Sequence, residues 1–107
     1  MRQPLVTVVI AAFLRTDWLR RAILSVFAQE MDKRDYELIV VDSSPDDANQ
    51  RLADELAAAA PCAFRFLRLN YARGPGVSRN HGARAGRGRF IAFMDSDCHA
   101  HPRWWRE

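Results

Sequence analysis

The sequence predicts an α/β domain built on a mostly parallel sheet with helices on its faces. Apolar, largely β-branched or aromatic runs recur at residues 6–13, 37–42, 64–69 and 90–94. Between them lie segments whose apolar residues fall at three- and four-residue intervals, the spacing of one helical face. The order β-α-β-α-β-α-β leaves no strand pair joined by a tight turn, so neighbours must be parallel and joined by right-handed crossovers.

The first run, Val-Thr-Val-Val-Ile-Ala-Ala-Phe over residues 6–13, is nearly continuous, as a central strand covered on both faces should be. Thr16 or Asp17 is placed to cap the next helix, in which Leu19, Ala22, Ile23, Val26 and Phe27 form the apolar stripe. The second strand ends on Asp42. Residues 43–47 then supply a turn and an acidic helix start, and Leu52, Ala53, Leu56, Ala57 and Ala60 line that helix until Pro61 stops it.

Arg65 and Arg68 interrupt the third strand, which suits a position near the sheet edge. Residues 70–76 read as a loop and 77–85 as a short helix closed by Gly86 or Gly88. The last run, Phe90-Ile91-Ala92-Phe93-Met94, is unbroken and predicts a strand buried on both faces. It stops abruptly at Asp95 and Asp97.

At 107 residues the chain is one domain, long enough to bury roughly 65% of its unfolded surface. Hydrophobic residues make up 49% and charged residues 27%, ordinary values that exclude a disordered class. No apolar run approaches the ~20 residues of a membrane span, and no signal-peptide pattern opens the chain. The expected location is therefore cytoplasmic, with peripheral association at the cytoplasmic face of a membrane left open. Cys62 and Cys98 lack metal-type spacing and read as free thiols. The net charge of +3 and pI near 9.4 come largely from arginine. Arg65, Arg68, Arg73, Arg79, Arg84, Arg87 and Arg89 share one stretch, either a solvated basic face or one that meets an anionic partner.

In open α/β sheets ligands sit beyond the carboxyl ends of the strands. The usual order 3-2-1-4 makes the ends of the first, second and fourth strands neighbours, so Asp42, Asp95 and Asp97 are expected to converge on one crevice. Residues spaced by two on an extended strand face one way. Asp95 and Asp97 would repel there, and a hard divalent cation that also takes phosphate oxygens would relieve the repulsion. Asp42 would accept hydrogen bonds from a base or ribose, or cap the helix after it. The Gly74-Pro75-Gly76 turn lacks the dinucleotide spacing and no phosphate-binding G-x-x-x-x-G-K-[ST] loop is present.

Four segments together, residues 8–15, 37–44, 76–82 (Gly-Val-Ser-Arg-Asn-His-Gly) and 88–97 (Gly-Arg-Phe-Ile-Ala-Phe-Met-Asp-Ser-Asp), resemble the successive signatures of family 2 glycosyltransferases. The resemblance runs from about Leu5 to Trp104. It implies the Rossmann-like nucleotide-binding half of the GT-A fold, an inverting transfer from a nucleotide-diphosphate sugar to an unspecified acceptor, and a divalent cation, Mn²⁺ or Mg²⁺. Carried over by position, Asp42 would bind the base or ribose, and Ala12, Phe13 and Arg15 would line the nucleoside pocket. Asp95 would sit by the ribose and metal with Ser96 beside it, Asp97 would be the direct metal ligand, and Arg79 would lie near the phosphates. Asn80 would hold its segment against the sheet.

Two features depart from the family's pattern. Ala11-Ala12-Phe13-Leu14-Arg15 stands where Pro-Thr-Tyr-Asn-Arg is usual, which removes polar groups from the nucleoside pocket. Glu107 follows shortly after Asp97, whereas family members continue into an acceptor-binding half with the catalytic base. The expectation is the donor-binding half alone, residues 1–107, a truncated form with no catalytic residue of its own.

Other classes rank lower. Asp97, Cys98, His99 and His101 are too closely spaced for a good zinc site. Trp104 and Trp105 either stack on a sugar or base or anchor their segment. A non-catalytic nucleotide-sugar-binding or assembly module, self-associating through exposed apolar surface, is the main alternative. A nucleic-acid partner is not expected, because no recognition helix or aromatic strand motif accompanies the arginines.

Overall fold

The computed structural model of the chain describes residues 3–69 and 75–96. Asn70, Tyr71, Arg73, Gly74, Asp97, Cys98, His99, His101, Trp104, Trp105 and Glu107, on which expectations rested above, lie outside the described residues. The elements are β1 (Val6–Ala12), α1 (Thr16–Phe27), β2 (Tyr36–Asp42), α2 (Ala48–Ala57), β3 (Ala63–Arg68), α3 (Pro75–Ala85) and β4 (Phe90–Asp95). The four strands are all parallel in the order β3-β2-β1-β4, the predicted order. Among the described residues no helix is long and apolar enough to cross a membrane.

Strand alternation divides the core in two. Val8, Ile10 and Ala12 join Leu38, Val40 and Met94 on the face covered by Leu19, Ala22, Ile23 and Val26 of α1 and Leu52 and Leu56 of α2. Val9, Ile39 and Val41 face the other way and meet Leu67, Leu69 and Ala85. Each fully buried aliphatic side chain is worth about 1.5–3 kcal/mol, so a one-residue slip of β1, which would exchange the two faces, is strongly opposed. On the second face α3 lies close to the sheet at Gly82, where an added Cβ would overlap the Val9 side chain.

Three local expectations are corrected. Neither Thr16 nor Asp17 caps α1; the N-cap is Arg15, in the left-handed region at φ 50°, preceded by Leu14 at φ 55°. Two such residues cost roughly 1–2 kcal/mol each, and the hydrogen bonds Leu14 makes to the β2–α2 segment offset that cost. Helix α3 begins at Pro75, because proline's fixed φ suits a first helical position. The largest correction concerns β4, which is not buried on both faces. Phe90 is 60% and Phe93 46% exposed, and Ile91 is exposed as well. The reason is position: β4 is an edge of the described sheet, and α3 packs chiefly on β1 and β2. The expected edge, β3, is the opposite one.

At the amino ends of the strands, the buried Glu37 carboxylate ties four segments together. It accepts from Thr7 Oγ1 at 2.8 Å, the Arg87 N–H at 2.5 Å and Arg65 Nη2 at 3.4 Å, while Thr7 Oγ1 accepts from the Gly88 N–H at 2.8 Å. A cavity of about 730 Å³ opens beside it, lined in part by Lys33, Tyr36, Glu37, Cys62 and Arg87. Its polar groups are used internally: Lys33 Nζ donates to the Phe27 and Gln29 carbonyls at 2.8 and 2.6 Å and to Tyr36 Oη at 3.1 Å.

Candidate functional site

The carboxyl ends of β1, β2 and β4 meet at one end of the sheet. Asp42 is the last residue of β2 and 0% exposed. Its Oδ1 accepts from the Ser44 N–H at 3.3 Å, Ser44 Oγ at 2.7 Å and Asn49 Nδ2 at 3.0 Å. Its Oδ2 is buried and has no hydrogen-bond partner among the described residues. Such an atom forfeits about 1–3 kcal/mol of solvation and marks a place where a water or ligand donor would complete the shell. Asp42 does not cap α2, whose N-cap is Asp47.

The β1–α1 connection is fastened to this carboxylate. The Leu14 N–H donates to Ser44 Oγ at 2.6 Å, and its carbonyl accepts from Asn49 Nδ2 at 3.2 Å. Phe13 is thereby left exposed above the buried Ala12. The Arg15 guanidinium carbon lies 3.4 Å from the centroid of the Trp18 ring, a cation–π contact at a largely exposed position.

On the other side of the sheet α3 presents Arg79 to the end of β4. Arg79 Nη2 donates to Asp95 Oδ1 at 2.6 Å, with the two side chains 38% and 57% exposed. Asp95 is thus an open hard oxygen donor paired with a guanidinium. Ser96 follows in a turn, half-buried. Among the described residues no group of three His, Cys, Asp or Glu side chains surrounds a common point; Asp97, the partner expected for Asp95, lies outside them.

The structure therefore brings Arg79 and Asp95 into contact and pairs Ala12 with Asp42, with Phe13 and Arg15 flanking the Leu14 that bonds to Ser44 and Asn49. It keeps the two groups apart, because Asp42 pairs with Ala12 whereas Asp95 pairs with the adjacent Ala11. Two other arginines of the basic stretch are committed internally, Arg65 to Glu37 and Arg68 to Asp47 at 2.6 Å. Sequence reasoning missed Asn49, Ser44 as a hydrogen-bonding partner, and Trp18. Asn49 gave no signal beyond being a polar residue in the first turn of a helix; Trp18 stands three residues after Arg15, the spacing of neighbours on one helix face.

The model of the family described as Glycosyl transferase family 2 matches residues 7–107. Succinoglycan biosynthesis protein ExoO of Rhizobium meliloti (strain 1021) is 42% identical over 99 residues, which are 92% of this chain and 27% of that protein. Among solved structures, S. aureus TarS 1-349 in complex with UDP superposes with a TM-score of 0.86 at 21% identity, over 95% of this chain and 30% of that one. The mannosyltransferase PcManGT of Pyrobaculum calidifontis, in complex with GDP-Man and Mn²⁺, gives 0.85 at 20% identity, over 94% and 29%. These structures establish the fold, and the chain spans less than a third of the length of each of these three proteins. The family model covers nearly the whole sequence and every element of the sheet, and on that ground the chain belongs to glycosyl transferase family 2.

Proposed function

We propose that this chain is the donor-binding part of an inverting glycosyltransferase that takes a nucleotide-diphosphate sugar together with Mn²⁺ or Mg²⁺. The observation that carries the proposal is the Arg79–Asp95 pair at the open end of the sheet, which sets a guanidinium for phosphate oxygens beside a carboxylate for a hard cation. Asp95 and Asp97 would hold the cation, with Ser96 between them, and Arg79 would face the diphosphate. When bound, the cation supplies charge neutralisation for the diphosphate as it leaves. Arg79 adds to that by donating to the same oxygens. Ala12, Phe13 and Arg15 would line the nucleoside pocket. The buried, unpartnered Oδ2 of Asp42 suits a base or ribose donor. The UDP and GDP-Man held by the two solved relatives support a nucleotide-sugar donor; no catalytic base is assigned to this chain.

Thermal unfolding against a panel of nucleotide-diphosphate sugars, with and without Mn²⁺, tests the proposal. A donor at ~100 times its Kd should stabilise the chain by roughly 2.7 kcal/mol, a shift of several degrees. The shift should need the cation and vanish in Asp97→Ala. No shift with any donor sinks the proposal.

A second reading, an assembly module, rests on the exposed Phe90 and Phe93. It predicts a concentration-dependent dimer in sedimentation that Phe93→Glu dissociates; a monomer at all concentrations removes it.

A further inference from the structure

We infer that Asn49 is a positioning residue for the nucleoside end of this site, pinning the Leu14–Arg15 turn and orienting the Asp42 carboxylate. The inference rests on the donor-binding proposal above and concerns a residue to which that proposal gives no part.

Asn49 sits in the first turn of α2, and its side chain is 1% exposed. Its Nδ2 lies 3.2 Å from the Leu14 carbonyl, 3.0 Å from Asp42 Oδ1 and 3.2 Å from Ser44 Oγ. Its Oδ1 accepts from Thr16 Oγ1 at 2.8 Å. One amide thus joins the segment after β1 to the segment after β2. Its orientation is fixed by chemistry, because reversing the amide would set its oxygen against a carboxylate and a carbonyl, both acceptors.

Two effects follow. Leu14, in the left-handed region at φ 55°, is held at its carbonyl by Asn49 and at its N–H by Ser44, so the turn that exposes Phe13 and Arg15 is clamped at its strained residue. Asp42 has Oδ1 engaged by Asn49 together with the Ser44 N–H and Oγ, and Oδ2 without a partner, so the amide helps to hold the carboxylate with Oδ2 left for a ligand. The Arg79–Asp95 pair lies on the opposite face of the sheet and shares none of these bonds. The nucleoside end and the phosphate end are therefore mechanically separate, and damage to the Asn49 network should touch only the first.

Calorimetric titration of the full chain with UDP, with GDP and with inorganic pyrophosphate, each with Mn²⁺, reads this separation. Asn49→Ala should weaken the nucleotide the wild type prefers by about tenfold or more, the loss of more than one hydrogen bond. Pyrophosphate binding should stay within about twofold, an effect below half a hydrogen bond. Thr16→Val, which removes the one hydrogen bond to the amide oxygen and so loosens its hold, should lose nucleotide affinity in the same direction and less, and Thr16→Ser should restore it. If Asn49→Ala does not fold, the Thr16 pair carries the same test. Unchanged nucleotide affinity overturns the inference, as does an equal loss of nucleotide and pyrophosphate. A wild-type chain that binds neither nucleotide overturns the donor-binding proposal and this inference with it, an outcome distinct from either.

Discussion

Asp42 and Asp95 stand at the same end of the sheet on opposite faces, because their partners in β1 are the consecutive residues Ala12 and Ala11. Successive side chains of a strand point to opposite faces. A ligand that engaged both would have to wrap over the carboxyl end of β1. Under the donor-binding role proposed above, the base would lie on the α1–α2 side and the phosphates on the α3 side.

The pair Arg79–Asp95 predicts opposite effects on cation and nucleotide. Arg79 competes with a cation for Asp95, and a pair this exposed is worth at most about 1 kcal/mol. Arg79→Gln should therefore bind Mn²⁺ alone up to about fivefold more tightly. It should bind the UDP–Mn²⁺ combination more weakly, because a charged donor to phosphate is lost. Titration of Mn²⁺ by its paramagnetic signal checks the first, calorimetry the second. Weaker binding of Mn²⁺ alone would argue against competition at Asp95.

Gly82→Ala should destabilise the chain although alanine favours helix. The gain in helix propensity is about 1 kcal/mol, but the new methyl overlaps the Val9 side chain of β1. Overpacking of this kind costs typically 1–3 kcal/mol. A lower urea midpoint is expected; a higher one would mean that α3 can lift from the sheet without loss.

Glu37→Gln should lower stability by about 1–3 kcal/mol, since a buried acceptor of the Thr7 hydroxyl and the Arg87 N–H becomes partly a donor. The change lies at the amino ends of the strands, so nucleotide affinity measured well below the unfolding midpoint should stay at the wild-type value. Loss of affinity without loss of stability would contradict a purely structural part for Glu37.

The Cys62 thiol is pushed up to about 11 from 9.0, chiefly by burial, and burial likewise raises the Tyr36 hydroxyl. A group held protonated by the fold contributes stability that is complete below its unfolded pKa and is lost as pH rises through the folded one. Stability should therefore be flat up to about pH 9 and fall between there and 11. Cys62→Ala should reduce the slope. In a Cys98→Ser background, iodoacetamide should modify Cys62 slowly at neutral pH, with a rate still climbing above pH 9.

Much of this architecture is written in local patterns. The β-branched runs and the apolar stripes of α1 and α2 gave the elements, their alternation gave the parallel order, and Arg65 and Arg68 marked β3 as an edge. β4 was misjudged because an apolar run records what a strand can bury and says nothing of whether a neighbour is there to bury it. Asn49 was illegible for a related reason. Its importance comes from three partners, Leu14, Thr16 and Asp42, that reach it only through the fold. The left-handed Leu14 and Arg15 were equally hidden, since neither is a residue type that favours that conformation.

The central place of β1 also sets an order of assembly. Val6 pairs with Tyr36 on one side and with Phe90 on the other, so β1, the earliest of the four described strands, completes its ladder only when β4 arrives. Such distant closure is entropically expensive and makes folding slow. The Asn49 clamp joins elements from the first half of the chain and can form early. The Arg79–Asp95 contact has to wait for β4. Under the donor-binding role proposed above, the nucleoside side of the site would form before the diphosphate side, and phosphate binding would report that β4 has joined β1.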